Sequence, residues 1–125
     1  VGSALSDLDN PPEPMLVRGP NLMTALPVEV AVTSQEIAHC LDKSLVKIET
    51  AVLSVLEQTP PELYSDIVQR GIFLTGGGAL LRCIDKRLQD KINIPFHISE
   101  GPLHSVARGT GIALKNIGKF PFLLR

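Results

Sequence analysis

Gly76-Gly77-Gly78 follows the apolar run Ile72-Phe73-Leu74-Thr75 without a spacer and leads into a helical pattern carried by Leu81, Ile84 and Leu88. No other feature narrows the fold as much. A continuous apolar run this short reads as a strand buried on both faces, as in a parallel or mixed sheet. The helical pattern reaches about Lys91, breaks at Asn93 and Pro95, and gives way to a second strand, Pro95-Phe96-His97-Ile98. Strand, glycine turn, helix, strand is a βαβ crossover, expected to be right-handed. The fold class is therefore α/β, a mixed sheet flanked by helices.

Consecutive glycines let the backbone take positive φ and come close to a ligand with no Cβ in the way. A helix start beside them would add unpaired amides and a positive dipole end, so a nucleotide or phosphate site is physically permitted. A tight βα turn that needs glycine for its own geometry explains the same residues. Neither GxGxxG with a ribose-binding acid nor GxxxxGK[ST] with its lysine is present. A second cluster, Arg108-Gly109-Thr110-Gly111, falls inside a helical pattern from Leu103 to Ile117 whose inner side reads as Val106, Ala107, Thr110, Ala113 and Leu114. Interior helix glycines cost about 1 kcal/mol each relative to alanine. A close neighbour is expected there, either another helix or the wall of a cleft.

Upstream, residues 5–14 are polar and proline-rich and read as a loop or hairpin connection. Met15 to Arg18 forms a short strand stopped by Gly19-Pro20. Leu26 to Val32 alternates, with Val28, Val30 and Val32 on one half-buried face. Thr33-Ser34-Gln35-Glu36 is a capping box, and Ile37, Leu41, Leu45, Ile48, Val52 and Val55 make the apolar stripe of the helix behind it. A second box, Thr59-Pro60-Pro61-Glu62, opens a short helix ending at Gly71.

A formal net charge of -1, with dispersed basic residues, gives no reason to expect nucleic acid or an anionic membrane surface as the main partner. Lys86 and Arg87 read as the solvated face of a helix, as do Asp66, Asp85 and Asp90. Cys40 and Cys83 stand far apart and are read as unpaired; His39, His97 and His104 lack metal-ligand spacing. No stretch approaches the roughly 20 apolar residues of a membrane span, and the amino terminus lacks the signal-peptide pattern. Val1-Gly2-Ser3-Ala4 contains no initiating methionine, so a chain cut from something larger, resident in the cytoplasm, is expected.

Four segments carry a resemblance. Arg70-Gly-Ile-Phe-Leu-Thr-Gly-Gly-Gly-Ala-Leu-Leu-Arg82 resembles the adenosine-contacting motif of the MreB family, within the actin, Hsp70 and sugar-kinase superfamily. Val17 to Pro27, Thr59 to Leu63 and Pro102 to Leu114 resemble the same family in the same order, and Val1 to Ala4 fits a strand ahead of them. The departures are the proline-containing stretch 5–14 and the apolar tail Phe120 to Arg125.

The resemblance implies the carboxy-terminal part of an actin-like (ribonuclease H-like) ATPase fold. Residues 1–43 would be the remainder of a small upper subdomain and 44–100 the core of the large nucleotide-holding one. Residues 101–125 would be a helix and tail returning to the opposite half. Gly76, Gly77, Gly78, Ala79 and Leu80 would line the adenine and ribose pocket, with no catalytic residue and no metal ligand in this segment. The complete protein would bind ATP with Mg²⁺, hydrolyse it slowly, polymerise with itself and guide cell-wall synthesis beneath the membrane. Its partners would be a RodZ-like membrane adaptor and the cell-wall elongation machinery, its membrane contact made by other parts. Both phosphate loops of the family, its catalytic acid and its ribose-holding acidic helix have no counterpart here, so this segment alone is expected not to hydrolyse nucleotide. A short filament cap or partner-binding module, or a fragment of a sugar-kinase-like enzyme, are the alternatives.

Overall fold

Alternating residues either side of a turn make the first pairing. β1 (Met15–Pro20) and β2 (Pro27–Val32) run antiparallel, with Val17 opposite Val30 and Arg18 opposite Glu29, which form an ion pair. The computed structural model describes residues 2–119; the apolar tail from Phe120 lies outside them. β1 runs on through Gly19-Pro20, because Pro20 faces Pro27 at the turn end of the ladder, where a missing N–H costs little. The turn is closed by the Asn21 Oδ1, which accepts from the amides of Met23 (2.8 Å) and Thr24 (3.3 Å). Of the expected half-buried valine face only Val32, next to the start of the following helix, is half-buried; Val28 and Val30 are exposed.

The capping box forms as expected. The Glu36 amide donates to Thr33 Oγ1 (3.2 Å) and the Thr33 amide to Glu36 Oε2 (2.8 Å), opening α1 (Ser34–Glu57). The stripe is turned from the expected one. Ala38, Leu45, Glu49 and Leu56 are buried, while Ile48 and Val55 face out. α2 (Pro61–Arg70) starts without the second box. Pro60 takes the cap position, and Thr59 Oγ1 turns back to donate to Val55 O at 2.8 Å. α2 ends at Gly71, whose φ of 76° and would-be Cβ, 2.7 Å from Pro95 O, leave room for no other residue.

β3 (Ile72–Leu74) and β4 (Phe96–Ile98) pair in parallel across α3 (Ile84–Ile92), the expected crossover. Only one face of this sheet is covered, contrary to the double burial expected. Phe73 is 67% exposed and stacks at 5.3 Å on His97, while Ile72, Leu74 and Phe96 turn inward. The sheet of this segment is thus two separate pairs, one antiparallel and one parallel. Leu45, Leu56, Ile84, Leu88, Ile92, Ile94 and Phe96 make the core, joined by Ala4, whose backbone N–H donates a hydrogen bond to Arg82 O (2.8 Å). α4 (Ser105–Lys115) buries nothing, so its expected inner side is open. A Cβ at Gly109 or Gly111 would meet nothing within 4 Å, and the close neighbour expected there is not among the described residues. Cys40 is exposed, Cys83 half-buried, and both are free. Among the described residues no helix is long and apolar enough to cross a membrane.

Arg87 is not on a solvated face. It is 8% exposed, and its guanidinium donates to Glu49 Oε1 (2.6 Å), Asp42 Oδ1 (2.7 Å) and Ala4 O (3.0 Å). Burial alone would lower its pKa; the bonds and charges of Glu49 and Asp42 outweigh that and raise it above its ordinary value. Glu49 is buried together with this cation, which offsets the cost of its charge.

Arg87→Leu is expected to cost about 3–5 kcal/mol in urea unfolding, because it strands the Glu49 carboxylate without a partner. Adding Glu49→Leu should recover at least half of that loss. Glu36 gives a pH test. Bonds from the Thr33 amide and hydroxyl lower its pKa below the ordinary 4.5. A depressed carboxylate stabilises the fold above its unfolded pKa, and that contribution fades as pH falls through the folded value. Helix content measured by circular dichroism should therefore drop below about pH 4.5 less steeply in Glu36→Gln than in the parent.

Candidate functional site

The turn after β3 is held by backbone bonds in quick succession. Gly76, at φ 81° and ψ 177°, occupies a region almost closed to other residues, and it caps a 3₁₀ turn over Gly77–Leu80. The Ala79 amide donates to Gly76 O (3.2 Å) and the Leu81 amide to Gly78 O (3.2 Å). The helix does not begin there. Leu81 is extended and Cys83 is left-handed at φ 62° before α3 opens at Ile84. The positive end of α3 is thus displaced from the glycines, and the expected helix-start amides are replaced by those of the 3₁₀ turn.

The glycines divide by cause. Gly76 is required by its own φ. Gly77 and Gly78 have ordinary φ. A Cβ at Gly78 would meet nothing within 4 Å, and one at Gly77 would meet only Leu103 Cδ2, at 3.5 Å. Neither backbone strain nor crowding among the described residues demands glycine at these two positions. Their amides have no backbone partner among the described residues either. The geometry-only explanation of the turn therefore covers Gly76 and stops there.

Of the five expected pocket residues, Gly77, Gly78 and Leu80 are exposed, Leu80 by 59%, and Gly76 is half-buried. Ala79 is buried, and with Gly78, Thr75, Leu74 and Leu88 it lines a cavity of about 300 Å³ beneath the turn. No side chain from Thr75 to Leu81 ionises. The turn can offer the amides of Gly77 and Gly78, unpaired among the described residues, and apolar surface, but no side-chain charge. Among the described residues there is no group of three or more His, Cys, Asp and Glu side chains that could hold a metal ion. The larger groove, about 550 Å³, lies between α1 and α2 and is lined by Ile48, Val52, Val55, Leu56, Ile67 and Ile72. Its lining is almost wholly apolar, with Lys47 and Thr59 the polar residues among it.

The segment before α4 closes the other side. Pro102 O accepts from both the Gly76 amide (2.9 Å) and Thr75 Oγ1 (3.0 Å), and Leu103, 62% exposed, stands beside Gly77. Sequence reasoning assigned no role to Thr75. A hydroxyl directly before a glycine run was the available signal.

Comparison with known proteins matches the family model described as MreB/Mbl protein over residues 1–121. The chain is 47% identical over 109 residues to the cell shape-determining protein Mbl of Bacillus cereus, covering 87% of this chain and 33% of that protein. It is 50% identical over 101 residues to the cell shape-determining protein MreB of Escherichia coli, covering 81% of this chain and 29% of that one. Among solved structures, MreB5 of Spiroplasma citri bound to ADP superposes with a TM-score of 0.85 at 39% identity, over 94% of this chain and 35% of that one. The same protein bound to AMPPNP gives 0.83. The chain spans about a third of the length of the relatives it matches.

The division among the glycines is testable. Gly76→Ala should cost roughly 1–3 kcal/mol in thermal or urea unfolding, because alanine cannot relax at that φ and ψ. Gly78→Ala should change stability by less than about 0.5 kcal/mol, as an open-surface substitution does. Equal costs would return the whole run to turn geometry.

Proposed function

The chain belongs to the MreB/Mbl family of actin-like cell shape-determining proteins, and from that premise we propose that it is the carboxy-terminal part of a longer, ATP-binding filament protein. Its glycine turn would take the adenine and ribose end of the nucleotide. The phosphates and Mg²⁺ would be held by segments outside this one. The observation that carries the reading is that Gly77 and Gly78 are glycine for no reason internal to the described residues. A ligand lying against the backbone supplies that reason. The absence of ionisable groups from Thr75 to Leu81 agrees with an uncharged ligand surface. The nucleotides in both Spiroplasma structures support the same reading by kinship.

The complete protein would polymerise head to tail in the cytoplasm, on the inner face of the membrane, and direct cell-wall synthesis through a RodZ-like adaptor. Residues 1–43 would belong to its small subdomain, 44–100 to the large one, and 101–125 to the return towards the other half. With the family established over residues 1–121, the sugar-kinase alternative has nothing left to rest on. The open faces of the hairpin, of α4 and of the β3–β4 pair speak for covering by a longer chain rather than for a short cap acting alone.

Gly77→Val in the full-length protein should weaken ATP binding at least tenfold in a fluorescent-nucleotide titration. Its melting temperature without nucleotide should stay close to that of the parent, since a Cβ added there meets only Leu103, at ordinary contact distance, and the position is exposed. Unchanged affinity would sink the cleft assignment.

A further inference from the structure

α4 is attached to the rest of the molecule almost wholly at its root. It buries no residue along its length. What fixes its start is a set of polar contacts to the two strand ends. Pro102 O takes two donors from the glycine turn, the Gly76 amide at 2.9 Å and Thr75 Oγ1 at 3.0 Å. Ser99, at the end of β4, donates its amide to Leu74 O (2.9 Å) and shares a hydroxyl–hydroxyl bond with Ser105 (2.9 Å), the first residue of α4. Arg108 lies 3.8 Å from Glu100, an exposed and weak pair. Of these contacts, only those of Thr75 and Gly76 with Pro102 join the root of α4 to the turn that would meet a ligand.

A carbonyl oxygen has two lone pairs, and here the glycine turn supplies a donor for each. A shift of the turn therefore moves Pro102, and α4 starts three residues beyond it. The Gly76 amide cannot be removed without replacing the glycine by proline. The Thr75 hydroxyl can be removed alone. It also sets direction, because two donors on one oxygen fix the angle of the Pro102 carbonyl where one would leave it free to swing.

We propose that Thr75 is a positioning residue that couples occupancy of the glycine turn to the orientation of α4, acting through the Pro102 carbonyl. The inference rests on the nucleotide reading of the turn, and it adds what a bound nucleotide does to the fold. Thr75 holds the helix root against the seated ligand's backbone platform, and a ligand that stiffens the turn stiffens the start of α4 with it.

The test uses the full-length protein with Thr75→Val, Thr75→Ser and Gly77→Val, and AMPPNP with Mg²⁺ as the probe. Two quantities are read: the affinity, and the nucleotide-dependent slowing of amide exchange over residues 105–110. Loss of one hydrogen bond should weaken binding in Thr75→Val by roughly threefold to tenfold. That variant should bind at saturating AMPPNP yet show no slowing at 105–110, while Thr75→Ser, which keeps the hydroxyl, behaves as the parent. Full slowing in the valine variant overturns the coupling, as does equal loss in the serine variant. Should valine fail to fold, Ser105→Ala, which cuts the other tether, must leave the slowing in place, and its loss there also overturns the assignment to Thr75. If Gly77→Val binds AMPPNP as tightly as the parent, the nucleotide reading fails first. Lost binding in Gly77→Val with intact coupling in Thr75→Val sinks only this inference.

Discussion

The buried guanidinium of Arg87 decides how the segments of this chain meet. Its three acceptors come from the amino-terminal stretch, from the middle of α1 and from a point seven residues further along the same helix. No apolar contact could fix these three together with the same angular precision, because a planar fork of donors fits only one arrangement of acceptors. Glu49 is drawn inward by it, and the face of α1 turned toward α3 follows from that. Ser3 and Ala4 are then placed beside Arg82, completing the edge of the core. Coulombic attraction and burial oppose each other in such a site, and its value is in specificity as much as in stability.

How much of this could be read beforehand differs by element. The capping box at Thr33, the end of α2 at Gly71, and the β3–α3–β4 crossover were legible because each rests on local chemistry. A hydroxyl and a carboxylate three residues apart, a glycine at positive φ, and a change of hydrophobic period are properties of short stretches. The face of α1 was not legible, because a periodicity rule prefers Ile48 and Val55 to Glu49, and only the distant Arg87 reverses that preference. The second box failed for a related reason. Consecutive prolines moved the helix start by one residue and left Thr59 outside it, bonded backwards. At the candidate site, the glycines themselves announced a turn, but which of them the turn requires depends on φ and on neighbours that no spacing reveals.

The distribution of apolar surface is uneven in a consistent way. The side of the sheet facing α1 and α3 is filled, while Phe73 and His97 on its other side, the hairpin valines and the length of α4 stand open. Two-stranded sheets are marginal by themselves in water. Two such pairs, each bare on one side, leave much of the apolar surface of the described residues uncovered. The relatives this chain matches are longer, and it spans about a third of their length.

One consequence lies at the junction between the hairpin and α1. β2 ends at Val32, Thr33 is the cap, and the helix begins at Ser34, so no linker separates them. Reciprocal bonds between Thr33 and Glu36 clamp that junction. At 1.5 Å per residue, a helix of 24 residues is about 36 Å long. The hairpin tip, where Leu22 and Met23 are almost fully exposed, is thus joined to a long helix through a single capping residue, and the direction in which the tip projects is tied to the first turn of α1.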